Sequence, residues 1–374
     1  MRKLLTLICL ITLLIVPVQA QQFQVLSAKA KVLEVTDKVI EEESYELDLF
    51  GDMHQKTVQD VKVRITSGKY KGMTLLITNE VSPQFIGAIK AKPNDRLVVD
   101  IIEEGGFFQS AHIADYQRDW FIYILLTIFV LVLIEIGHLS GIKALASLVL
   151  TFILVAKVML PLILKGYNPI LLASGISILV TFATLLIING ANIKTWAAIG
   201  GTITGVIVAA FLAILGGRLI NLTGLALDEA SVLWVLTDGS LDFAGLFTAG
   251  IIIGSLGAVM DVAMSIASAM TEIAEVNPQL SFRELYASGI NVGRDISGTM
   301  SNTLILAYTG SSLPLLLLFQ ANGEQFLKII NMDMIAGEFV RSLAGSIGLM
   351  VTIPVTALIM AFFRKEAGHK EYYL

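Results

Sequence analysis

The feature that most limits how this chain can fold is an ionisable residue inside a membrane-length apolar run. The stretch from Gly250 to Glu272 carries Asp261 within it, together with small and polar residues at steps of three and four. An α-helix would align these residues along one side. They are Gly250, Gly254, Gly257, Asp261, Ser265, Ser268 and Glu272. A carboxylate in hydrocarbon costs roughly 2.5–3.5 kcal/mol on insertion scales, so we expect this side to look into a helix bundle or a wet cavity.

The composition places the chain mostly in lipid. Apolar residues make up 55% of the 374 residues and charged residues 15%, and the mean hydropathy is +0.76, which exceeds the range of soluble domains. The net charge of -5 is too small to favour nucleic acid or an anionic surface as a partner, and no long basic run is present. We therefore exclude nucleic acid and predict the lipid bilayer as the main environment.

The N-terminus, residues 1–20, has the pattern of an export signal. Arg2 and Lys3 precede an apolar core from Leu4 to Val16, and a small-x-small cleavage pattern ends at Ala20. A short membrane anchor is the alternative, although the core is shorter than the ~20 residues that a span needs. Cleavage would remove Cys9, the one cysteine of the chain, which excludes disulfides and thiolate metal sites from the mature protein.

Residues 21–118 form a segment of soluble composition. Val61, Val63 and Ile65 alternate with Lys62 and Arg64, as in a half-buried strand. Glycine-rich and proline-containing turns separate such runs. We predict a small, mainly β extracytoplasmic domain here, with a barrel as one arrangement.

Residues 119–363 contain uncharged runs of membrane length, with aromatic residues at several ends. The length criterion of ~20 residues predicts an all-α bundle of about seven transmembrane helices. They are Trp120–Gly137, Ile142–Leu164, Asn168–Ile188, Thr195–Leu215, Leu246–Met270, Gly298–Phe319 and Gly337–Phe363. Residues 364–374 follow as a tail. The acidic, half-apolar connection from Gly217 to Phe243 is predicted to lie on the outer surface as an amphipathic helix, and a re-entrant gate is the alternative.

Export of the N-terminal domain would orient the bundle in a bacterial cell membrane. The loops that hold Lys143, Lys194 and Arg283, and the tail after Phe363, would then be cytoplasmic. These loops carry more basic residues than the opposite ones, which is the expected bias. We predict a multi-pass protein with its N-terminal domain outside and its C-terminus inside.

A second polar cluster runs from Ser288 to Thr303. Its glycines and amides predict a bent backbone that faces water or ions. Nucleotide binding is excluded there, because Thr299 stands where a phosphate-binding loop needs its lysine. Helix depth favours a pairing of Asp261 with Arg294, and it leaves Glu338 as the local partner of Arg341.

The residues from Gly257 to Ser268 and from Asn291 to Tyr308 resemble the signature of YibE/F-like bacterial membrane proteins. The resemblance covers the whole membrane part, and the exported segment with its glycine turns fits as well. It implies a multi-span membrane protein, commonest in Gram-positive bacteria, and it implies no particular biochemical activity.

Two classes of function remain after enzymes are set aside, since no zinc pattern or second catalytic motif accompanies Asp261. The first is a transporter or channel for an ion or small solute, and the concentration of polar groups in two spans favours it. The second is a scaffold or sensor whose exported β domain binds an envelope component. No cofactor or metal is predicted, and a homo-oligomer or a neighbouring membrane protein remains open as a partner. The candidate intramembrane polar site consists of Asp261, Ser265, Ser268, Glu272, Arg294, Asp295, Asn302 and Thr303.

Overall fold

The computed structural model describes residues 23–39, 45–47, 53–55, 57–81, 89–226 and 228–371. The predicted export signal lies outside the described residues, as does the end of the predicted tail. The chain divides into two compact units, Met1–Phe129 and Val130–Leu374.

The first unit contains the β domain. Its strands are β1 (Phe23–Val39), β2 (Tyr45–Leu47), β3 (Met53–Gln55), β4 (Thr57–Ile65), β5 (Thr74–Val81), β6 (Arg96–Glu104) and β7 (Phe107–Tyr116). Five of them form one antiparallel sheet in the order β5-β4-β1-β6-β7, and β2 pairs with β3. The first part of β1 pairs with β6 and the second part with β4, with a register shift between Val32 and Glu34. Because β5 also contacts β7, the sheet curves toward a barrel.

The alternation seen in the sequence explains the core of this domain. Val61, Val63 and Ile65 on β4 are buried, whereas Lys62 and Arg64 between them are exposed. Successive side chains of a strand point to opposite faces, so one face lines the barrel interior and the other faces outward. The predicted mainly β, barrel-like domain is therefore confirmed.

The rest of the chain is helical. The helices are α1 (Asp119–Ile153), a π-helical turn (Leu154–Met159), α2 (Leu160–Leu164), α3 (Pro169–Asn189), α4 (Ile193–Leu219), α5 (Asp228–Leu236), α6 (Phe243–Val276), α7 (Phe282–Ser311), α8 (Leu313–Ala321), α9 (Phe326–Ile330) and α10 (Asp333–Glu371). Five helical segments in the described residues are long and apolar enough to cross a membrane, or six if the bent pair of α7 and α8 counts as one span. The predicted membrane bundle is thus confirmed in its architecture.

The first of these segments, Asp119–Leu164, has 46 residues. At 1.5 Å per residue it would measure about 69 Å, more than twice the ~30 Å hydrocarbon core. The helix is interrupted at His138, where φ is 46°. A Cβ on Gly141 would overlap the carbonyl oxygen of Leu133, so the backbone turns sharply there. This break falls in the loop that the sequence predicts between the first two spans.

The second unit is built around α6, which packs against α3, α4, α7 and α10. Its buried side carries bulky apolar residues, among them Ile252, Val259 and Ile266. These side chains belong to the largest apolar cluster of the described residues. The bulky apolar side of α6 therefore contacts four neighbouring helices. These contacts determine the direction in which the polar side of α6 points.

The connection between α4 and α6 contains the short helix α5. Its Val232, Trp234 and Val235 are exposed. At the start of the connection, the Thr223 hydroxyl donates a 2.5 Å hydrogen bond to Asp333 at the start of α10. The helix α5 therefore occupies part of the connection that the sequence predicts to be amphipathic. The start of this connection lies at the same end of the bundle as the start of α10.

Candidate functional site

The small and polar residues of α6 form a continuous strip, which we call the α6 lane. Asp242 caps the start of the helix, and its side chain accepts a 2.7 Å hydrogen bond from the backbone N–H of Gly245. From there the lane follows the helical repeat along the side opposite the buried apolar residues. Its members are exposed except for the partly buried Ser268: Gly250, Gly254, Gly257, Asp261, Ser265, Ser268 and Glu272.

The lane is exposed in this chain rather than buried among its helices. The expectation that other helices of this chain would bury it is therefore wrong, and the expectation of a wet cavity stays a prediction. The reason is packing: the bulky side of α6 already contacts four helices, so the side that carries Asp261 and Ser265 is left uncovered. The helical spacing of polar residues identifies the polar side of a helix, but it does not identify the segment that packs against that side.

Two of the three lane glycines, Gly250 and Gly257, do not bring helices of this chain together. A Cβ would find open space at Gly250 and Gly257, and at Gly254 it would lie 2.9 Å from the Tyr308 hydroxyl. The close helix approach that small residues permit occurs instead between α4 and α10. There, a Cβ on Gly201 would overlap Thr356, and one on Gly205 would overlap Thr352.

The second polar cluster is a regular helix rather than the predicted bent backbone. Ser281 and Glu284 form a capping box at the start of α7, which satisfies the free N–H groups there. Two of its glycines serve packing, because a Cβ on Gly289 would overlap Met270 and one on Gly293 would overlap Ile353 of α10, whereas a Cβ on Gly298 would meet open space. The bend comes later, between α7 and α8, and measures 58°. The predicted span from Gly298 thus belongs to a helix that begins at Phe282.

One side of α7 is polar and exposed. Its exposed residues include Arg294, Asp295, Thr299, Asn302 and Thr303. The hydroxyls of Thr299 and Thr303 donate to backbone carbonyls of their own helix, at 2.9 Å in each case. We call this side the α7 polar face.

The α6 lane and the α7 polar face lie on neighbouring antiparallel helices. A Cβ on Gly289 would overlap Met270, and Tyr308 reaches Gly254. These two contacts place Asp261 level with the turn of α7 around Thr299. The structure therefore brings the predicted site residues onto two adjacent helices, with Asp261 near the middle.

Asp261 has no hydrogen-bond or ion-pair partner in the described part of the chain. The predicted pairing with Arg294 is not made, because Arg294 Nη1 donates to Asn291 Oδ1 at 3.2 Å instead. By the register above, Arg294 lies about one and a half helical turns away from the level of Asp261. The carboxylate is thus exposed and uncompensated in the middle of a membrane-length helix.

The predicted pairing of Arg341 with Glu338 is confirmed. Arg341 Nη1 lies 3.0 Å from Glu338 Oε1, and both side chains are largely buried. The guanidinium also lies 4.9 Å from the centre of the Phe247 ring and 5.8 Å from that of Tyr308. These distances are within the range of cation–π attraction. The two aromatic contacts were not predicted, since they join three helices that are distant in sequence.

A small cavity adjoins this ion pair. It is lined by Leu222, Gly224, Ala226, Phe247, Asp333, Met334, Glu338 and Arg341. Glu338 Oε2 and Arg341 Nε are buried and have no hydrogen-bond partner among the residues that the structure describes. Tyr308 connects the two regions, because its hydroxyl reaches the α6 lane at Gly254 while its ring faces Arg341.

The site offers carboxylate, hydroxyl and amide oxygens along a membrane-embedded surface. Among the described residues, no group of three or more His, Cys, Asp or Glu side chains is placed to hold a metal ion. Oxygen groups of this kind suit a desolvated cation, a proton or a small solute that forms hydrogen bonds.

Comparison with known proteins bears on both units. A family model described as YibE/F-like protein matches residues 125–366. A second one, described as the YibE/F family N-terminal domain, matches residues 26–116. No curated protein and no solved structure matches the chain.

Proposed function

We propose that this chain, which belongs to the YibE/F-like family, moves an ion or a small polar solute across the bilayer. Its helical region has several membrane-length helices. The route follows the α6 lane and the α7 polar face. The observation that carries this proposal is the unpaired, exposed Asp261 within α6. A carboxylate against acyl chains costs roughly 2.5–3.5 kcal/mol, so water, a solute or another protein must meet it. The proposal involves no enzymatic step.

The α6 lane is open on one side, so a transport route along it needs a second protein surface that covers it. Its residues are exposed in the single chain, and lipid tails cannot satisfy the hydroxyl and amide groups of Ser265 and Asn302. We propose that another membrane chain, a second copy or a neighbouring protein, covers the lane. The open space at Gly250 and Gly257 would let its helix come close.

Contacts at the helix ends support the proposed arrangement of loops. Lys143 Nζ donates to the carbonyl oxygen of Ile188 at 3.3 Å, and Arg364 lies 3.5 Å from Glu275. Each contact joins two segments that the sequence predicts on the cytoplasmic side. We propose accordingly that the C-terminus is cytoplasmic and that the β domain lies outside a bacterial cell membrane.

The test is solute flux in proteoliposomes made with the purified full chain. Proton, Na⁺, K⁺ and Mg²⁺ movement is followed with internal dyes for the wild type and for Asp261→Asn, which keeps the size and removes the charge. Asp238→Asn is the matched control, because Asp238 is exposed outside the lane and its φ of 48° also suits Asn.

The expected result is flux that Asp261→Asn abolishes and Asp238→Asn preserves, with both variants folded. Equal flux in the wild type and in Asp261→Asn would remove Asp261 from the mechanism. Absence of flux for every ion and for a panel of small polar solutes would count against transport as a whole.

A scaffold or sensor is the second candidate, and exposed apolar side chains on the β domain favour it. Phe107 is 78% exposed at the β6–β7 turn, and Leu76 on β5 is 68% exposed. Exposed aromatic groups are common at binding surfaces. In this case a chain that lacks residues 21–118 would lose its cellular phenotype although its bundle still folds, whereas a fully active truncation would reject the scaffold role.

A further inference from the structure

Three cations form a row across the outer face of the β domain. Lys31 on β1 is directly opposite Arg64 on β4 and also directly opposite Arg96 on β6. All three side chains are exposed. Adjacent strands are about 4.8 Å apart, so the row is about 10 Å long. We call these three residues the cationic row.

The row is unfavourable for the folded domain by itself. Like charges directly opposite each other on neighbouring strands repel, and Lys31 takes part in two such pairs. Other cations of the same domain have carboxylate partners. Lys38 lies 2.5 Å from Asp60, Lys62 lies 3.8 Å from Glu34 and Lys69 lies 2.9 Å from Glu103.

The residues of the cationic row have no carboxylate partner in the described part of the chain. The nearest acid in sequence, Asp95, instead accepts a 2.8 Å hydrogen bond from the backbone N–H of Lys92. An anion that is not part of these residues would therefore relieve the repulsion. The overall net charge of -5 gives no sign of this local excess, because acidic side chains elsewhere outweigh it.

The row stands where the chain enters the membrane. The backbone N–H of Gln117 donates a 2.9 Å hydrogen bond to the carbonyl oxygen of Arg96, and the first candidate span begins two residues later at Asp119. The residues that follow, Trp120 and Tyr123, are exposed aromatic side chains. Aromatic residues of this kind sit at the level of lipid headgroups.

We propose that the cationic row binds the phosphate groups of anionic phospholipids at the bilayer surface beside α1. Three guanidinium or ammonium groups at headgroup level match the negative surface of such a bilayer. The lipid contact neutralises the row and holds the β domain at the membrane surface. This inference is independent of the proposed transport, since none of its residues belongs to the α6 lane.

The test is lipid binding by the purified full chain in a neutral detergent. Short-chain phosphatidylglycerol is titrated against short-chain phosphatidylcholine, and affinity is measured by calorimetry. The variant is K31Q/R64Q/R96Q. The matched control is K71Q/K90Q/K92Q, which removes the same charge from exposed positions of the same domain and leaves the row intact.

The wild type and the control are expected to prefer phosphatidylglycerol. Each cation removed from the row should weaken that binding about fivefold. Phosphatidylglycerol binding by the row variant that equals the wild type would overturn the proposal. Row-dependent binding of inorganic polyphosphate without any preference for phosphatidylglycerol would also overturn it, because the anion would then be a soluble one.

Lys31→Gln alone keeps the inference testable if the triple variant does not fold. This substitution removes both like-charge pairs at once. In phosphatidylcholine it should unfold at the same or a higher temperature than the wild type, whereas in phosphatidylglycerol it should lose part of the stabilisation that the lipid provides to the wild type. Unfolding temperatures with the same lipid dependence in both proteins would refute a headgroup contact.

Discussion

The contact between α4 and α10 should be the least tolerant of added volume in the bundle, and Gly205→Ala tests this. A Cβ at this position would overlap the Thr352 hydroxyl, and it would lie 2.7 Å from the carbonyl oxygen of Gly348 and 2.8 Å from Val259. The Thr352 side chain could rotate, but it would then lose its 3.0 Å hydrogen bond to Gly348. The backbone carbonyl can move only if one of the two helices moves.

The magnitude follows from two opposing effects. Overpacking a close contact costs about 1–3 kcal/mol, and loss of the threonine hydrogen bond adds about 1 kcal/mol. Alanine gains about 1 kcal/mol over glycine in helix propensity. We expect Gly205→Ala to lower the free energy of unfolding by about 1–3 kcal/mol.

Gly257→Ala is the matched control, because a Cβ there meets open space. It should be as stable as the wild type or up to about 1 kcal/mol more stable. Both variants are unfolded by denaturant in the same detergent and followed by circular dichroism. A Gly205→Ala protein as stable as the wild type would refute the close approach of α4 and α10. Equal destabilisation of both variants would refute the distinction between packing glycines and lane glycines.

Three further predictions concern charges and caps. Arg341→Ala should cost about 3 kcal/mol, because it leaves Glu338 largely buried and unpaired, and the double variant with Glu338→Gln should recover part of that loss in a denaturation series. Hydrogen bonds from Lys69 hold the pKa of Glu103 below its ordinary value of 4.5. The stability from this pair is therefore present above pH 4.5 and is lost as the pH falls through the lowered pKa, and acid unfolding of Glu103→Gln should lack this component. Ser281→Ala removes the capping box of α7 and should lower the free energy of unfolding by about 1 kcal/mol, whereas an unchanged value would show that packing alone holds the helix end.

Local patterns were sufficient for much of the architecture. The period of two around Val61 and Val63 predicted the β domain, and apolar length predicted the membrane helices, because both signals depend on residues close in sequence. The Glu338–Arg341 pair was predictable for the same reason, since residues three apart on a helix are neighbours. The break near His138 also falls where two spans were separated by length alone.

Predictions that depended on contacts between segments distant in sequence were less successful. Glycine spacing drew attention to Gly254 and Gly257, yet the close packing occurs at Gly205, because a contact depends on the volume that a second helix presents. The cluster after Ser288 contains many glycines and amides, and in isolation they favour a bent backbone. In the bundle, contacts with α6 and α10 and the cap at Ser281 make it a continuous helix.

The sequence by itself determined that a carboxylate would lie within a membrane-length helix and that one side of this helix would be polar, because hydropathy and helical period are properties of one segment. Only the tertiary structure decided that this side is exposed in this chain, that Asp261 lies level with Thr299, and that three strands bring Lys31, Arg64 and Arg96 into one row. The physical reason is that packing and strand register are set by shape and charge on several segments at once. A single stretch of sequence carries only one side of each such contact.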